Sequence, residues 1–227
     1  MEKFSWSDPP SPTAFPIARP GYPFIFAGAF VTIIFALLGM KVPALISLVA
    51  TAGVCGFFRD PDRVTPTTPG AVIAPADGRV IVVQIVEENP YIPGPCLKIS
   101  IFMTVFNVHV NRIPHEGEVD EIQYHPGKFY SADKDKATIS NEQNAVIIKT
   151  GKGRIYAVVQ VAGFVARRII STLQRGQAVV QGQRFGMICF GSRLDLYLPP
   201  NTEPVVTKGE KTRAGTTILG YLHETEK

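Results

Sequence analysis

Cysteine is scarce in this chain of 227 residues: Cys55, Cys96 and Cys189 are the only three. An odd count at wide spacing excludes a disulfide framework and a zinc-ligand pattern, so no metal is expected and a reducing compartment is the simplest reading. The four histidines are scattered, with no metal-ligand spacing among themselves or with carboxylates. There is no Gly-rich phosphate cradle and no dinucleotide fingerprint. No G-x-S-x-G elbow surrounds Ser192, which argues against Ser-His-Asp hydrolysis on an α/β scaffold. Dense Lys/Arg runs and aromatic-basic interleaving are also missing, so nucleic acid is not an expected partner.

Charge is missing from two long stretches. Residues 22–40, "YPFIFAGAFVTIIFALLGM", carry none, and neither do residues 42–58, "VPALISLVATAGVCGFF"; Lys41 is the only charge between Arg19 and Arg59. At 1.5 Å per residue the first stretch nearly matches the roughly 30 Å hydrocarbon layer of a bilayer, and the second is slightly short. A signal peptide would have a shorter apolar core followed by a small-residue cleavage site. Pro43 beside Lys41 suggests a break, hence a hairpin of two helices. Lys3 and Arg19 on one side, Arg59 and Arg63 on the other, put both ends in the cytoplasm by the positive-inside tendency. A hairpin dipping into one leaflet and a buried core hairpin of a soluble protein are the alternatives. The formal net charge of +4, the pI near 9.0 and the mean hydropathy of +0.13 suit an anionic membrane surface or a phosphate-bearing substrate.

After the hairpin the composition changes. Residues 59–70, "RDPDRVTPTTPG", hold three prolines and cannot continue a helix. The chain therefore reads as an N-terminal segment (1–21), an apolar hairpin (22–58), a linker (59–70) and a β-rich domain (71–227). "AVIAPADGRVIVVQIV" gives two short strands around a turn, "CLKISIFM" alternates, "NAVIIKT" and "RIYAVVQVAG" follow, and "GTTILGYL" comes last. "GFVARRIISTLQRGQ" fits a short helix or a strand. Short strands separated by glycine imply a mainly β fold, a β-sandwich or partly open barrel, behind the helical hairpin.

Few polar residues suggest chemistry. Asp77 in "PADG" is ordinary turn chemistry by itself. His109 in "FNVHVNRIPHEG" lies on a strand-like alternation, where a histidine is more often structural. "FGMICFGSRLDLYLP", residues 185–199, reads as one strand interrupted by Gly191-Ser192-Arg193, and the plain reading of that interruption is a bend.

Five pieces in order, "RPGYPFI", "GFFRDPDR", "APADGRV", "FNVHVNRIPHEGEV" and "FGMICFGSR", make the chain resemble the phosphatidylserine decarboxylases of the compact prokaryotic type. The resemblance runs from about Arg19 to the end. It implies that the Gly191–Ser192 bond is cut by the protein itself, leaving a β chain (1–191) and an α chain (192–227) that stay together as a heterodimer, with further dimerisation left open. Ser192 Oγ attacks the Gly191 carbonyl, the resulting ester undergoes β-elimination to dehydroalanine, and hydrolysis leaves a pyruvoyl group and ammonia. That covalent cofactor forms a Schiff base with phosphatidylserine in the membrane and releases CO₂ and phosphatidylethanolamine, an electron-sink role. The implied place is the inner cell membrane, with the catalytic domain on the cytoplasmic face.

The resemblance also implies roles for single residues. Asp77 matches the family aspartate of self-cleavage. His109 matches the first histidine of a His-x-x-His motif tied to decarboxylation, and Arg112 stands where the second would be. His109 is therefore expected to serve both steps, oriented by Asp77. Arg112 would pair with substrate phosphate or carboxylate, or form a salt bridge at a strand end, and His115 is the reserve candidate for substrate contact. Arg193 departs from the threonine of the longer form. Two rivals remain open: decarboxylation of another serine-headed lipid such as archaetidylserine, and a membrane-anchored lipoyl- or biotinyl-like binding module whose chain stays whole.

Overall fold

Two uncharged runs parted by Lys41 become a helical hairpin. In the computed structural model, which describes residues 16–127, 141–163, 168–189 and 192–222, a 3₁₀ turn at Arg19–Gly21 leads into α1 (Tyr22–Leu37), and α2 (Lys41–Phe57) follows. The reversal occupies residues 38–40, where Gly39 takes the left-handed φ of +73° that favours glycine. Pro43 is not the break. It sits in the first turn of α2, where a missing N–H leaves no helical bond unmade. Thr32 donates to Ser47 Oγ at 2.9 Å and joins the two helices. Their large apolar side chains point outward: Phe26 is 71% exposed, Leu37 80% and Val42 69%. Arg19–Leu37 has the length and composition of a membrane span, whereas α2 is shorter. The hairpin is a candidate membrane anchor.

Contacts divide the chain into this unit, Pro10–Asp62, and a larger one containing Arg63–Lys227. Among the described residues, the regular elements of the larger unit are all strands. Its strands are β1 (Ala71–Ile73), β2 (Gly78–Val86), β3 (Cys96–Met103), β4 (Val110–Arg112), β5 (Gly117–His125), β6 (Gln143–Lys149), β7 (Ile155–Ala162), β8 (Ile169–Ser171), β9 (Ala178–Val179), β10 (Arg184–Ile188), β11 (Ser192–Leu198), β12 (Thr202–Pro204), β13 (Lys211–Thr212) and β14 (Ile218–Leu222). Eight form a sheet in the order β13-β2-β3-β11-β7-β6-β5-β9, which curls into a half-barrel. Two small sheets, β4-β10-β8 and β1-β14-β12, complete the unit. The fold is mainly β, and the stretch at 163–177 contributes the strand β8.

Strand alternation sorts side chains to the two faces of the large sheet. Leu194, Leu196 and Leu198 of β11 join Ile99, Ile101 and Val158 in the main core. The opposite face carries a second cluster around Tyr91, Cys96, Val159 and Tyr197.

Two sequence motifs mark crossings between sheets. The strands flanking "PADG" do not form a hairpin: β1 pairs with β14, and β2 pairs with β3. Likewise "FGMICFGSRLDLYLP" is two strands rather than one interrupted strand. β10 lies between β4 and β8, whereas β11 lies in the large sheet between β3 and β7.

Candidate active site

Ser192 is the first residue of β11. It faces Met103 of β3 on one side and Ala162 of β7 on the other. The residue is fully buried, and its Oγ has no hydrogen-bond partner among the described residues. A buried hydroxyl left unpaired costs about 1–3 kcal/mol, and such exceptions concentrate where strain or chemistry is stored. Gly191 lies outside the described residues.

His109, also fully buried, leads into β4. Its Nδ1 is 2.9 Å from the carbonyl oxygen of Asn107. A carbonyl only accepts, so Nδ1 carries the proton, and in the neutral form of the ring the lone pair is on Nε2. Val110 pairs with Met187, so antiparallel register continues Ile188 toward His109. Four residue steps at 3.8 Å then limit the Ile188–Ser192 Cα separation to about 15 Å. Asn111 alternates onto the same side of β4 as His109. It donates to Met103 Sδ at 3.9 Å and accepts from Gln160 Nε2 at 2.8 Å. Met103 is the register partner of Ser192, so His109 and Ser192 occupy the same end of the core.

Asp77 belongs to that end as well. Arg79 pairs with Phe102 and Phe102 with Arg193, so Asp77 is level with the end of β3 and two strands from β11, about 10 Å across the sheet. Gly78 makes this approach possible: a Cβ there would lie 2.2 Å from the Phe102 carbonyl oxygen. The Asp77 carboxylate accepts from Arg63 Nη1 at 2.6 Å, Arg63 Nη2 at 2.9 Å and the Ala214 amide at 2.7 Å. Arg63 Nη1 also donates to the Ala214 carbonyl at 3.0 Å. Asp77 therefore meets an arginine and a backbone amide, while the atom that fixes the His109 ring at Nδ1 is the Asn107 carbonyl.

Arg112 is buried, donates to the Gly182 carbonyl at 3.2 Å, and packs its side chain beside Gly215, in the loop that offers Ala214 to Asp77. His115 is elsewhere. Its Nδ1 meets the Glu116 carbonyl at 2.9 Å, and its own carbonyl accepts from the Tyr156 hydroxyl. Tyr156 is six residues from Ala162 along β7, about 20 Å at strand rise. The structure thus gathers Ser192, His109 and Asp77 at one end, sets Arg112 beneath the Asp77 loop, and leaves His115 at the other end. Cys189, three residues before Ser192, has its thiol pushed up by burial, with Arg168 opposing, which holds it as a neutral, weakly nucleophilic thiol.

The phosphatidylserine decarboxylase family profile matches residues 51–220, a span that includes Asp77, His109, Arg112, His115 and Ser192. The chain belongs to the phosphatidylserine decarboxylase family. It is 49% identical over 207 residues to the phosphatidylserine decarboxylase proenzyme of Desulfotalea psychrophila, covering 91% of this chain and 97% of that protein. The proenzyme of Geotalea uraniireducens matches at 49% over 207 residues, 91% of this chain and 97% of its own. That of Cupriavidus pinatubonensis is 50% identical over 211 residues, 92% and 96% respectively. These are decarboxylases of the short prokaryotic type.

Two features of this decarboxylase-family site escape a reading of motifs. Arg63 ends "GFFRDPDR" and looks like a topological charge beside the hairpin, yet it is the partner of Asp77. Arg193 is buried rather than incidental, with Nε 2.8 Å from Asp195 Oδ1 and Nη2 donating to Oδ2 at 3.0 Å. Lys98 Nζ approaches the same carboxylate at 3.3 Å. This cluster lies on the opposite face of β11 from Ser192 and fixes residue 193 immediately beside it.

Proposed function

We propose that this chain is a proenzyme that cuts itself between Gly191 and Ser192 and then decarboxylates phosphatidylserine with a pyruvoyl group derived from Ser192. The observation that carries this reading is the Ser192 hydroxyl, buried and without a hydrogen-bond partner among the described residues, at the head of a strand paired on both sides. An orphaned buried hydroxyl is what a site built to consume that hydroxyl would hold, so the residues present fit the group.

In self-cleavage, His109 Nε2 is the base that takes the Ser192 proton, because Nδ1 is already committed to Asn107. Oγ adds to the preceding carbonyl and the amide becomes an ester. Elimination across Cα–Cβ of residue 192 breaks the ester, and hydrolysis of the dehydroalanine gives the ketone and ammonia. Asp77, held by Arg63, fixes the neighbouring strand start. Burial of Arg112 against Gly182 favours support of the Asp77 loop over capture of a substrate anion.

The pyruvoyl ketone supplies an electron sink for the carbanion that remains when CO₂ leaves. The dry surroundings of residue 192 aid that step, since the substrate carboxylate loses its charge. The product is phosphatidylethanolamine. The apolar hairpin supports a membrane-resident lipid as substrate, at the cytoplasmic face of the inner membrane.

The α chain would stay bound after the cut. Residues 192–222 supply β11 to the middle of the large sheet, β13 to its edge, and β12 and β14 to the sheet with β1. Mass spectrometry under denaturing conditions tests the reading. Two fragments, the smaller being residues 192–227 with a blocked N-terminus, are expected; active protein with an intact mass of 24.8 kDa overturns it.

A further inference from the structure

We propose that the rim of the β unit at the Ser192 end docks on an anionic lipid surface, with the Val105–Phe106 turn entering the interface and Arg79, Lys211 and Arg213 facing the headgroups. The turn follows β3 and is rigid. Asn107 N donates to the Thr104 carbonyl at 3.0 Å, and Asn107 Oδ1 accepts from Thr104 N at 2.9 Å and Thr104 Oγ1 at 2.8 Å. Its tip nevertheless presents apolar side chains to solvent, with Phe106 84% and Val105 44% exposed. Turn tips normally carry polar residues. An aromatic ring held out by a well-bonded turn has the composition of a membrane-interface contact.

The charge beside it agrees. Lys211 pairs with Arg79 and Thr212 with Gly78, so Arg213 is level with Asp77 and Thr104. β13, β2 and β3 are neighbours, which puts these cations within about 10 Å of the turn. Arg79, Lys211 and Arg213 are all exposed. Among the described residues here the acidic groups are Glu210, whose Oε1 accepts from Thr207, and Asp77, which Arg63 neutralises, so Arg79, Lys211 and Arg213 leave this part of the rim net positive. Basic residues flanking an inserted apolar tip suit an anionic bilayer.

The position gives the surface its purpose. Asn107, the last residue of the turn, holds His109 through its carbonyl. A tip in the headgroup region therefore brings the reacting end of the core to the depth of a lipid headgroup while acyl chains remain in the bilayer. This deepens the reading of Ser192 as the reacting position and rests on it for the identity of the lipid consumed.

The test uses the full chain with Trp6, its single tryptophan, changed to Phe. Phe106→Trp then reports on the tip, and Ile85→Trp, at a half-exposed position at the far end of β2, reports on a surface expected to stay in water. Vesicles of phosphatidylcholine with phosphatidylglycerol, with and without brominated acyl chains, are the probe. The expected result is blue-shifted emission and quenching for Trp at 106 only. Unquenched emission at 106, or equal quenching at both positions, overturns the proposal. Quenching needs no turnover, so it reads the surface even if Ser192 proves inert. In a second arm, the paired changes Lys211→Gln and Arg213→Gln are expected to raise KM several-fold on anionic vesicles without changing kcat, and to have no effect on a short-chain soluble substrate. An unchanged KM on vesicles removes the charge component and with it the anionic surface.

Discussion

Arg63 grips both carboxylate oxygens of Asp77, at 2.6 and 2.9 Å, across fourteen positions of sequence. Two motifs that look independent along the chain, "RDPDR" and "PADG", are the two halves of one ion pair. Both side chains are largely buried, and the Ala214 amide completes the arrangement.

Removing one member of such a pair strands a charge out of water. Arg63→Ala is expected to destabilise the β unit by about 3–5 kcal/mol and to slow self-cleavage. Arg63→Lys keeps the charge, loses the bidentate fork and should fall between. Denaturant unfolding, read beside the ratio of cut to uncut chain on a denaturing gel, measures both effects.

Ser192→Ala should leave the chain whole and inactive without weakening it. Its hydroxyl has no partner to lose among the described residues, so deleting an unsatisfied buried group is neutral or stabilising by about 1 kcal/mol. A lowered unfolding midpoint would show that the hydroxyl is bonded in the folded protein.

His109→Ala removes the proposed base. A loss of about 10²–10⁴-fold in cleavage rate is the size expected of a positioned general base, with the fold retained. A variant that still matures and turns over lipid at the normal rate excludes the assignment. Arg112→Ala separates two roles: support of the Asp77 loop lowers stability, whereas capture of a substrate anion raises KM with stability unchanged.

Alkali should loosen the face opposite Ser192 first. Burial, with the Asp195 carboxylate adding to it and Arg193 opposing, pushes the Tyr91 hydroxyl from 10.0 up to about 12. The folded state thus holds the proton more tightly than the unfolded chain. The stability this contributes is complete below pH 10 and is lost as pH rises toward 12. Tyr91→Phe, which also gives up the 2.7 Å bond to Gln143 Oε1, should flatten the fall in unfolding free energy between those two values.

The β class was legible because strands such as "CLKISIFM", which is β3 residue for residue, carry their period in the sequence. The partner of each strand was not. Alternation says which side a residue faces, but nothing local says that β10 and β11, three residues apart, belong to different sheets. The same limit hid the site's supports. Ser192, His109 and Asp77 stand in recognisable motifs, whereas Arg63, Asn111 and Gln160 acquire their roles only when distant strands meet. Asn144 donates to Gln160 at 3.0 Å and Gln160 to Asn111 at 2.8 Å, a chain of amides spread over three strands. Pro43 failed as a breaker because a helix's first turn accommodates proline.

β11 lies deep in the large sheet, with seven residues paired to β3 and six to β7. Such a strand is held only when both neighbours are in place, so the buried setting of residue 192 exists only in the assembled sheet. On the proposed mechanism, maturation would double as a test of folding: a misassembled molecule would never acquire its catalytic group.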